Sequence, residues 1–214
     1  MTPEQHLAKA DPVLGKFIKK AGPIALPKPA HKEPCTSLLN SVAHQQLHGT
    51  AATAILGRMM ALCGGAMPDP ASLLALTDAQ LRACGFSGSK ILALRDIAAK
   101  AQAGVIPTRA QARRLSDEAL IERLTQVRGV GRWTVEMLLI FTLRRPDVFP
   151  VDDFGVREGY RVLHGLPAQP KPKEFAAIGA IYAPHRSLAS LYFWRAADLA
   201  KPAKKPPAPR KKQA

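Results

Sequence analysis

The stretch that most constrains this chain is "LTQVRGVGRWTVEMLLIF", residues 124–141. Two helix-patterned segments meet there with only Arg128, Gly129, Val130 and Gly131 between them. The first places Leu120, Ile121, Leu124 and Val127 on one face, with Ser116 as an N-cap and Asp117 and Glu118 at the positive end of the dipole. The second, "WTVEMLLIFTL", is apolar nearly all round, so it must run through the interior. A buried helix joined to its predecessor by so short a link is a tight hairpin. Glycine permits backbone angles that other residues resist and, lacking Cβ, lets another chain come close. The amides of Gly129, Gly131 and Thr134 then point outward at a helix start, which suits a phosphate. On the glycines alone, an ordinary turn between two helices accounts for the pattern equally well.

The rest of the chain repeats the helical period. Residues 36–47 start with Thr36 or Ser37 as N-cap and set Leu38, Leu39 and Val42 on one face, before a polar interruption, "HQQLHG". Ala52, Ile55, Leu56, Met59, Met60 and Cys63 continue the period, closed by Gly64 and Gly65. Thr77 and Gln80 form a capping-box pattern, and "ILALRDIAAKAQAG" is an amphipathic helix ending at Gly104. Helical patterning returns at 117–127, 132–144, 154–164, 173–182 and 187–200, while 21–34 reads as irregular. Strand-like alternation is absent. The expectation is an all-α protein: a compact bundle of about eight to ten helices over residues 1–200, with the hairpin at about 117–143. A basic Pro/Lys-rich tail, 201–214, is expected to be disordered.

Charge narrows the partners. The net charge is +15, and the last fourteen residues carry six basic groups and no acid, which leaves +9 on the rest. Such a balance favours a polyanion, nucleic acid or an anionic membrane surface. Cys35, Cys63 and Cys84 have neither metal-ligand nor redox-motif spacing and read as buried reduced thiols. No apolar run approaches the roughly 18 residues of a membrane span, and the first residues lack a signal-peptide core. The expected location is cytoplasmic, at the nucleoid in a bacterium or in the nucleus of a eukaryote, and the expected state is monomeric.

The hairpin followed by "DVFPVDDFGVREGYRV" resembles the helix-hairpin-helix DNA glycosylase superfamily, in its alkylation-repair branch, DNA-3-methyladenine glycosylase II. "LLNSVAHQQLHGTAATAI", "LRACGFSGSKILALRDIA" and "YAPHRSLASLYFWRAADL" follow the family's order, so the resemblance covers roughly residues 36–200. It implies two helical lobes around a central cleft, in the compact form without an N-terminal β domain. It also implies an enzyme that flips alkylated purines out of double-stranded DNA and hydrolyses the N-glycosidic bond.

By position, the resemblance makes Asp153 the catalytic carboxylate, with Asp152 in a supporting or capping role. Trp133, Trp194 and Met137 become the base pocket, whose electron-rich faces suit a cationic purine; Met137 departs from relatives that carry an aromatic there. Gln46 and Leu47, with Gln45 and His48 in the same loop, become the minor-groove wedge. Gly129, Gly131 and Thr134 through their amides, and Arg128, Arg132, Ser89 and Lys90, become phosphate contacts. The carbonyls of Thr125, Val127 and Val130 become ligands of a structural Na+ or K+; no cofactor is required for the chemistry. Relatives with lyase activity carry a lysine where this chain has Trp133, so hydrolysis without strand cleavage is expected. Two other readings remain: a non-catalytic helix-hairpin-helix module that binds DNA, and a glycosylase for other damaged or mismatched bases. An acid at a helix start and two tryptophans would be superfluous in a pure binding module.

Overall fold

The structure, a computed structural model, describes residues 1–26, 28–29, 33–47 and 49–201. Among them it is all-helical, with thirteen α-helices, one π-helical stretch and one 3-10 turn. In chain order these are α1 (Pro3–Ala10), α2 (Pro12–Ala21), α3 (Pro34–His44), α4 (Gly49–Leu62), α5 (Pro70–Ala75), α6 (Asp78–Cys84), α7 (Gly88–Gln102) and α8 (Arg109–Ala112). There follow α9 (Asp117–Leu124), α10 (Arg132–Met137) running into the π-helix Leu138–Leu143, α11 (Phe154–Leu163), α12 (Pro172–Gly179) and α13 (Arg186–Ala200). The count exceeds the expected eight to ten because α1, α2, α5 and α8 are short helices opened by local caps. Thr2, Asp11, Asp69 and Thr108 each accept an amide of the first turn. The basic tail expected at 201–214 lies, but for Lys201, outside the described residues.

The chain divides into two compact units, Met1–Ile24 with Val151–Ala214, and Ala25–Pro150. In the first, Asp11 is the joint between α1 and α2. It is 5% exposed. Its Oδ1 caps α2 through the Val13 and Leu14 amides (2.9 and 3.1 Å), and its Oδ2 takes the Tyr182 hydroxyl at 2.8 Å and lies 3.0 Å from His164 Nε2. Tyr160, Phe175, Tyr182 and Phe193 pack edge-on or tilted around this joint, with centroids 5.4 to 6.5 Å apart. Burial, and then the bond to Asp11, push the Tyr182 phenol far above its usual value. It therefore stays a neutral donor.

The closest approach in this unit is between α11 and α13. A Cβ built on Gly159 would lie 1.8 Å from the Phe193 carbonyl oxygen, and one on Gly155 would lie 2.8 Å from the Trp194 ring. Both glycines have ordinary helical backbones, so what they supply is the missing atom, which lets the two helices touch backbone to backbone.

In the second unit the apolar stretch behaves as its composition demands. Val135, Leu138, Leu139, Ile140 and Leu143 are buried. Ser37, expected as a cap, instead sits inside α3, which begins at Pro34, and its hydroxyl meets Thr142 Oγ1 at 2.7 Å. Proline at a first helical position is favoured because the missing amide has no partner there anyway. Thr77, Ser87 and Ser116 cap α6, α7 and α9. Of the cysteines only Cys84 is buried; Cys35 and Cys63 are half-buried, and burial, aided by the charge of Glu33, lifts the Cys35 thiol to about 11.

Much of the positive charge is spent inside this unit. Arg95 gathers the carbonyls of Leu73, Leu74 and Leu76 at the end of α5. Arg123 does the same for Gly104 and Val105 after α7, and Arg145 for Ala112 and Leu115 after α8. Each guanidinium satisfies carbonyls that a helix end leaves without partners.

The glycines yield a test. Gly159→Ala should destabilise by about 3 kcal/mol or more through overpacking, lowering Tm by roughly 6–12 °C for a chain of this size. Gly57→Ala is the control. It lies mid-helix with nothing within 4 Å of an added Cβ, and it should stabilise by about 0.5–1 kcal/mol. Thermal denaturation of the two variants decides it.

Candidate functional site

The hairpin forms where expected. Ser116 caps α9, which ends at Leu124, and α10 starts at Arg132 after Gly131. Gly129 has φ 75°, a left-handed conformation that favours glycine, and a Cβ there would sit 3.4 Å from Ala93. Gly131 differs from the expectation. Its φ is −93° and ψ 171°, open to any residue, and nothing lies within 4 Å of an added Cβ. The fold does not need glycine at 131. What glycine leaves there is a bare, exposed approach to the first turn of α10, whose amides receive no side-chain cap.

The turn is clamped from α7. Asp96 Oδ2 accepts the Arg128 amide and the Lys100 ammonium, both at 2.7 Å, and Lys100 also donates to the Gln126 carbonyl. Burial works against a charge on Asp96, but these bonds outweigh it and hold the carboxyl below its usual value. The pair shows in sequence only as Asp and Lys four apart, a pattern common on solvated helix faces. Sequence reasoning had no means of finding its role.

The wedge loop lies at the end of α3. Gln46 has φ 56°, an uncommon angle for a side-chain-bearing residue, and Leu47 is 39% exposed. Gln45, in the same loop, makes a bond of its own. Its amide nitrogen donates to the Gly129 carbonyl at 2.9 Å, tying this loop to the hairpin turn. His48 lies outside the described residues.

Next to this loop is a cavity of about 450 Å3 lined by Asn40, Ser41, His44, Gln45, Gln46, Trp133, Thr134 and Met137. Trp133 is 46% exposed, unlike a core tryptophan, and Met137 stands one turn further along. A second hollow, about 290 Å3, lies between Ser87, Ser89, Lys90, Arg128 and Gly129. The expected phosphate ligands divide here. Arg128 is exposed, and its guanidinium forms no hydrogen bond or ion pair among the described residues. Lys90 gives its ammonium to the Ala43 carbonyl at 2.8 Å, and burial lowers its pKa. Ser89 Oγ lies 3.1 Å from Ser87 Oγ. Arg132 is held by Glu118 (2.8 Å) and Glu136 (3.1 Å), two carboxylates that offset its charge.

The carbonyls of Thr125, Val127 and Val130 are neutral oxygen donors in one turn, the chemistry that Na+ or K+ accepts. Val127 already receives the Val130 amide at 3.0 Å, which leaves its carbonyl a second lone pair. A divalent ion would draw carboxylates into such a set. The donors fit a monovalent ion.

In the other unit, Asp153 is the N-cap of α11 and 8% exposed. Its Oδ1 accepts two bonds, from the Val156 amide and from Trp194 Nε1, both at 2.8 Å. Position 155 must be glycine for this pair, because a Cβ would stand 2.8 Å from the indole and 3.2 Å from Asp153 Oδ1. Asp152 is exposed, and the N-cap of α11 is Asp153 itself, which leaves Asp152 the supporting role alone of the two expected. Trp194, half-buried, lines neither of the two cavities above, and its indole N–H goes to the Asp153 carboxylate.

Residues 39–184 match the model of the HhH-GPD superfamily base excision DNA repair proteins. The chain is 44% identical over 199 residues to DNA-3-methyladenine glycosylase 1 of Schizosaccharomyces pombe, covering 92% of this chain and 87% of that protein. It is 31% identical over 195 residues to the alkylbase DNA glycosidase-like protein mag2 of the same organism, covering 90% and 91%. Among solved structures, the Schizosaccharomyces pombe 3-methyladenine DNA glycosylase in complex with abasic DNA superposes with a TM-score of 0.84, at 43% identity and with 95% and 100% of the two chains covered. A DNA-3-methyladenine glycosidase of Bacillus halodurans gives the same TM-score at 35% identity, covering 92% and 89%. With a family model matching well over half its length, the chain belongs to the HhH-GPD superfamily of base excision DNA repair proteins.

Proposed function

We propose that this protein is a monofunctional DNA glycosylase that removes alkylated purines, 3-methyladenine and 7-methylguanine foremost, and so starts base excision repair. The observation that carries the reading is Asp153, a buried carboxylate fixed at a helix start by the Val156 amide and the Trp194 indole. Simple capping needs only the amide. The second, side-chain donor orients the carboxylate further than a cap requires.

Alkylation at N3 or N7 makes the purine cationic, so it departs neutral and needs little protonation. The harder part is the sugar, which gathers positive charge at C1′ as the C1′–N bond opens. Asp153 stabilises that charge and orients a water; the C1′–O bond forms, and the water's proton passes through the carboxylate to solvent. Trp194 acts by holding Oδ1. Trp133 offers the flipped base an aromatic face, with Met137 beside it. Gln46 and Leu47 fill the vacated stack. The amides of Gly129, Gly131 and Thr134, with Arg128, hold a phosphate; Arg132 and Lys90 do more for the protein's own packing than for DNA. A monovalent ion on the Thr125, Val127 and Val130 carbonyls would add a positive charge facing that phosphate. A tryptophan at 133, where an amine nucleophile would stand, leaves water as the attacking group.

Asp153→Asn keeps the cap and the acceptor for Trp194, so it should fold. Base release from methylated DNA should fall by about 100- to 10,000-fold, with affinity for abasic-site DNA within a few-fold of the parent. Equal release by parent and variant, or none by the parent, would sink the reading and leave the DNA-binding module.

The two hairpin glycines separate fold from grip. Gly129→Ala should cost about 1–2 kcal/mol from its left-handed φ. Gly131→Ala should melt within about 0.5 kcal/mol of the parent yet bind duplex DNA at least several-fold more weakly, because its methyl would stand in the phosphate's path. Melting curves and a DNA-binding titration of both variants check this, and undiminished binding by Gly131→Ala would remove the phosphate from that position.

A further inference from the structure

Among the groups lining the cavity beside Trp133 that the reading above leaves unused is the imidazole of His44. It is half-buried at the last position of α3 and lines the cavity. Its Nδ1 lies 2.9 Å from the Asn40 carbonyl oxygen. A carbonyl only accepts, so Nδ1 carries the proton. In the neutral ring Nε2 is then a lone-pair acceptor, and no described residue hydrogen-bonds to it. Among the described residues, no lysine, arginine, aspartate or glutamate lines the cavity.

We propose that His44 Nε2 reads the N–H edge of the extruded purine. The inference rests on the glycosylase reading and says how that pocket chooses. An alkylated purine spreads its positive charge onto the ring and exocyclic N–H groups, which makes them stronger donors. An acceptor in the cavity that the Trp133 indole also lines favours such a base twice over, through the hydrogen bond and through the cation–π contact. A fixed cation in the same place would repel it. The bond to Asn40 sets the direction of the lone pair, so no side-chain freedom is lost when the base arrives. His44 is therefore a specificity-determining residue, distinct from Asp153 and from the stacking face of Trp133.

The test uses 7-methylguanosine, which keeps the cationic base and its N–H edge but carries no DNA backbone. Its binding to the full chain is read by tryptophan fluorescence, alongside base release from methylated DNA and affinity for abasic-site DNA. His44→Leu should lose roughly 10- to 100-fold in nucleoside affinity and in base release, while abasic-DNA affinity, which involves no base, stays within a few-fold. His44→Gln, which retains an acceptor at similar reach, should recover most of both. Nucleoside binding by His44→Leu equal to the parent's overturns the proposal, and so does a loss of abasic-DNA affinity as large as the loss of nucleoside affinity, which would mark His44 as a prop for the wedge loop. A parent that binds 7-methylguanosine through His44 yet releases no base overturns the glycosylase reading alone.

Discussion

The backbone contact of α11 with α13 is the constraint on which the placement of the Asp153 carboxylate depends. Because Gly159 has no Cβ, the Phe193 carbonyl can seat against α11, and Trp194 follows as the next residue on α13. Gly155, one turn earlier, leaves room for the indole to lie across the start of α11 and reach Asp153. A carboxylate that must act on a developing cation needs its orientation set beforehand, since reorganisation during the reaction would consume the benefit. Here two glycines four residues apart supply that orientation by what they omit. The aromatic cluster around Asp11 and Tyr182 gives the same unit its stiffness.

The other unit is organised around a different economy, that of helix ends. A protein built from many short helices exposes many carbonyl termini, and arginines from neighbouring segments close several of them. Net charge therefore overstates the surface available to a polyanion. Arg128 faces outward, while Arg132 is neutralised by two glutamates and Lys90 is drawn inward. In the proposed function, most of the grip on a phosphate then has to come from backbone amides.

The helical class, the hairpin and the placement of Asp153 at a helix start were legible in the sequence. Each depends on local signals, namely periodicity, caps and the short glycine-bearing link. The partnerships were less legible. Ser37 reads as a cap but is buried against Thr142, because Pro34 opens the helix earlier. Gln45 reads as one more residue of the wedge, but its tie to Gly129 spans 84 positions in the chain. Trp194 reads as pocket lining, and its bond to the Asp153 carboxylate, made possible by the close crossing of α11 and α13, has no local signal. The first two helices were overlooked because their joint, Asp11, looks like any surface acid until Tyr182 and His164 close on it.

The bond from Gln45 to the Gly129 carbonyl has a bearing on how this molecule inspects DNA. Gln46 and Leu47 hang from a loop that is strapped to the same turn whose amides, in the proposed function, hold a phosphate. A turn seated on the backbone thus carries the loop to a set depth, and a turn shifted along it carries the loop away as well. In the proposed function, searching and probing become one movement. The helix that starts at Asp153 takes its shape from contacts within its own unit, so sequence drift in the loop leaves the bonds that orient this carboxylate as they were.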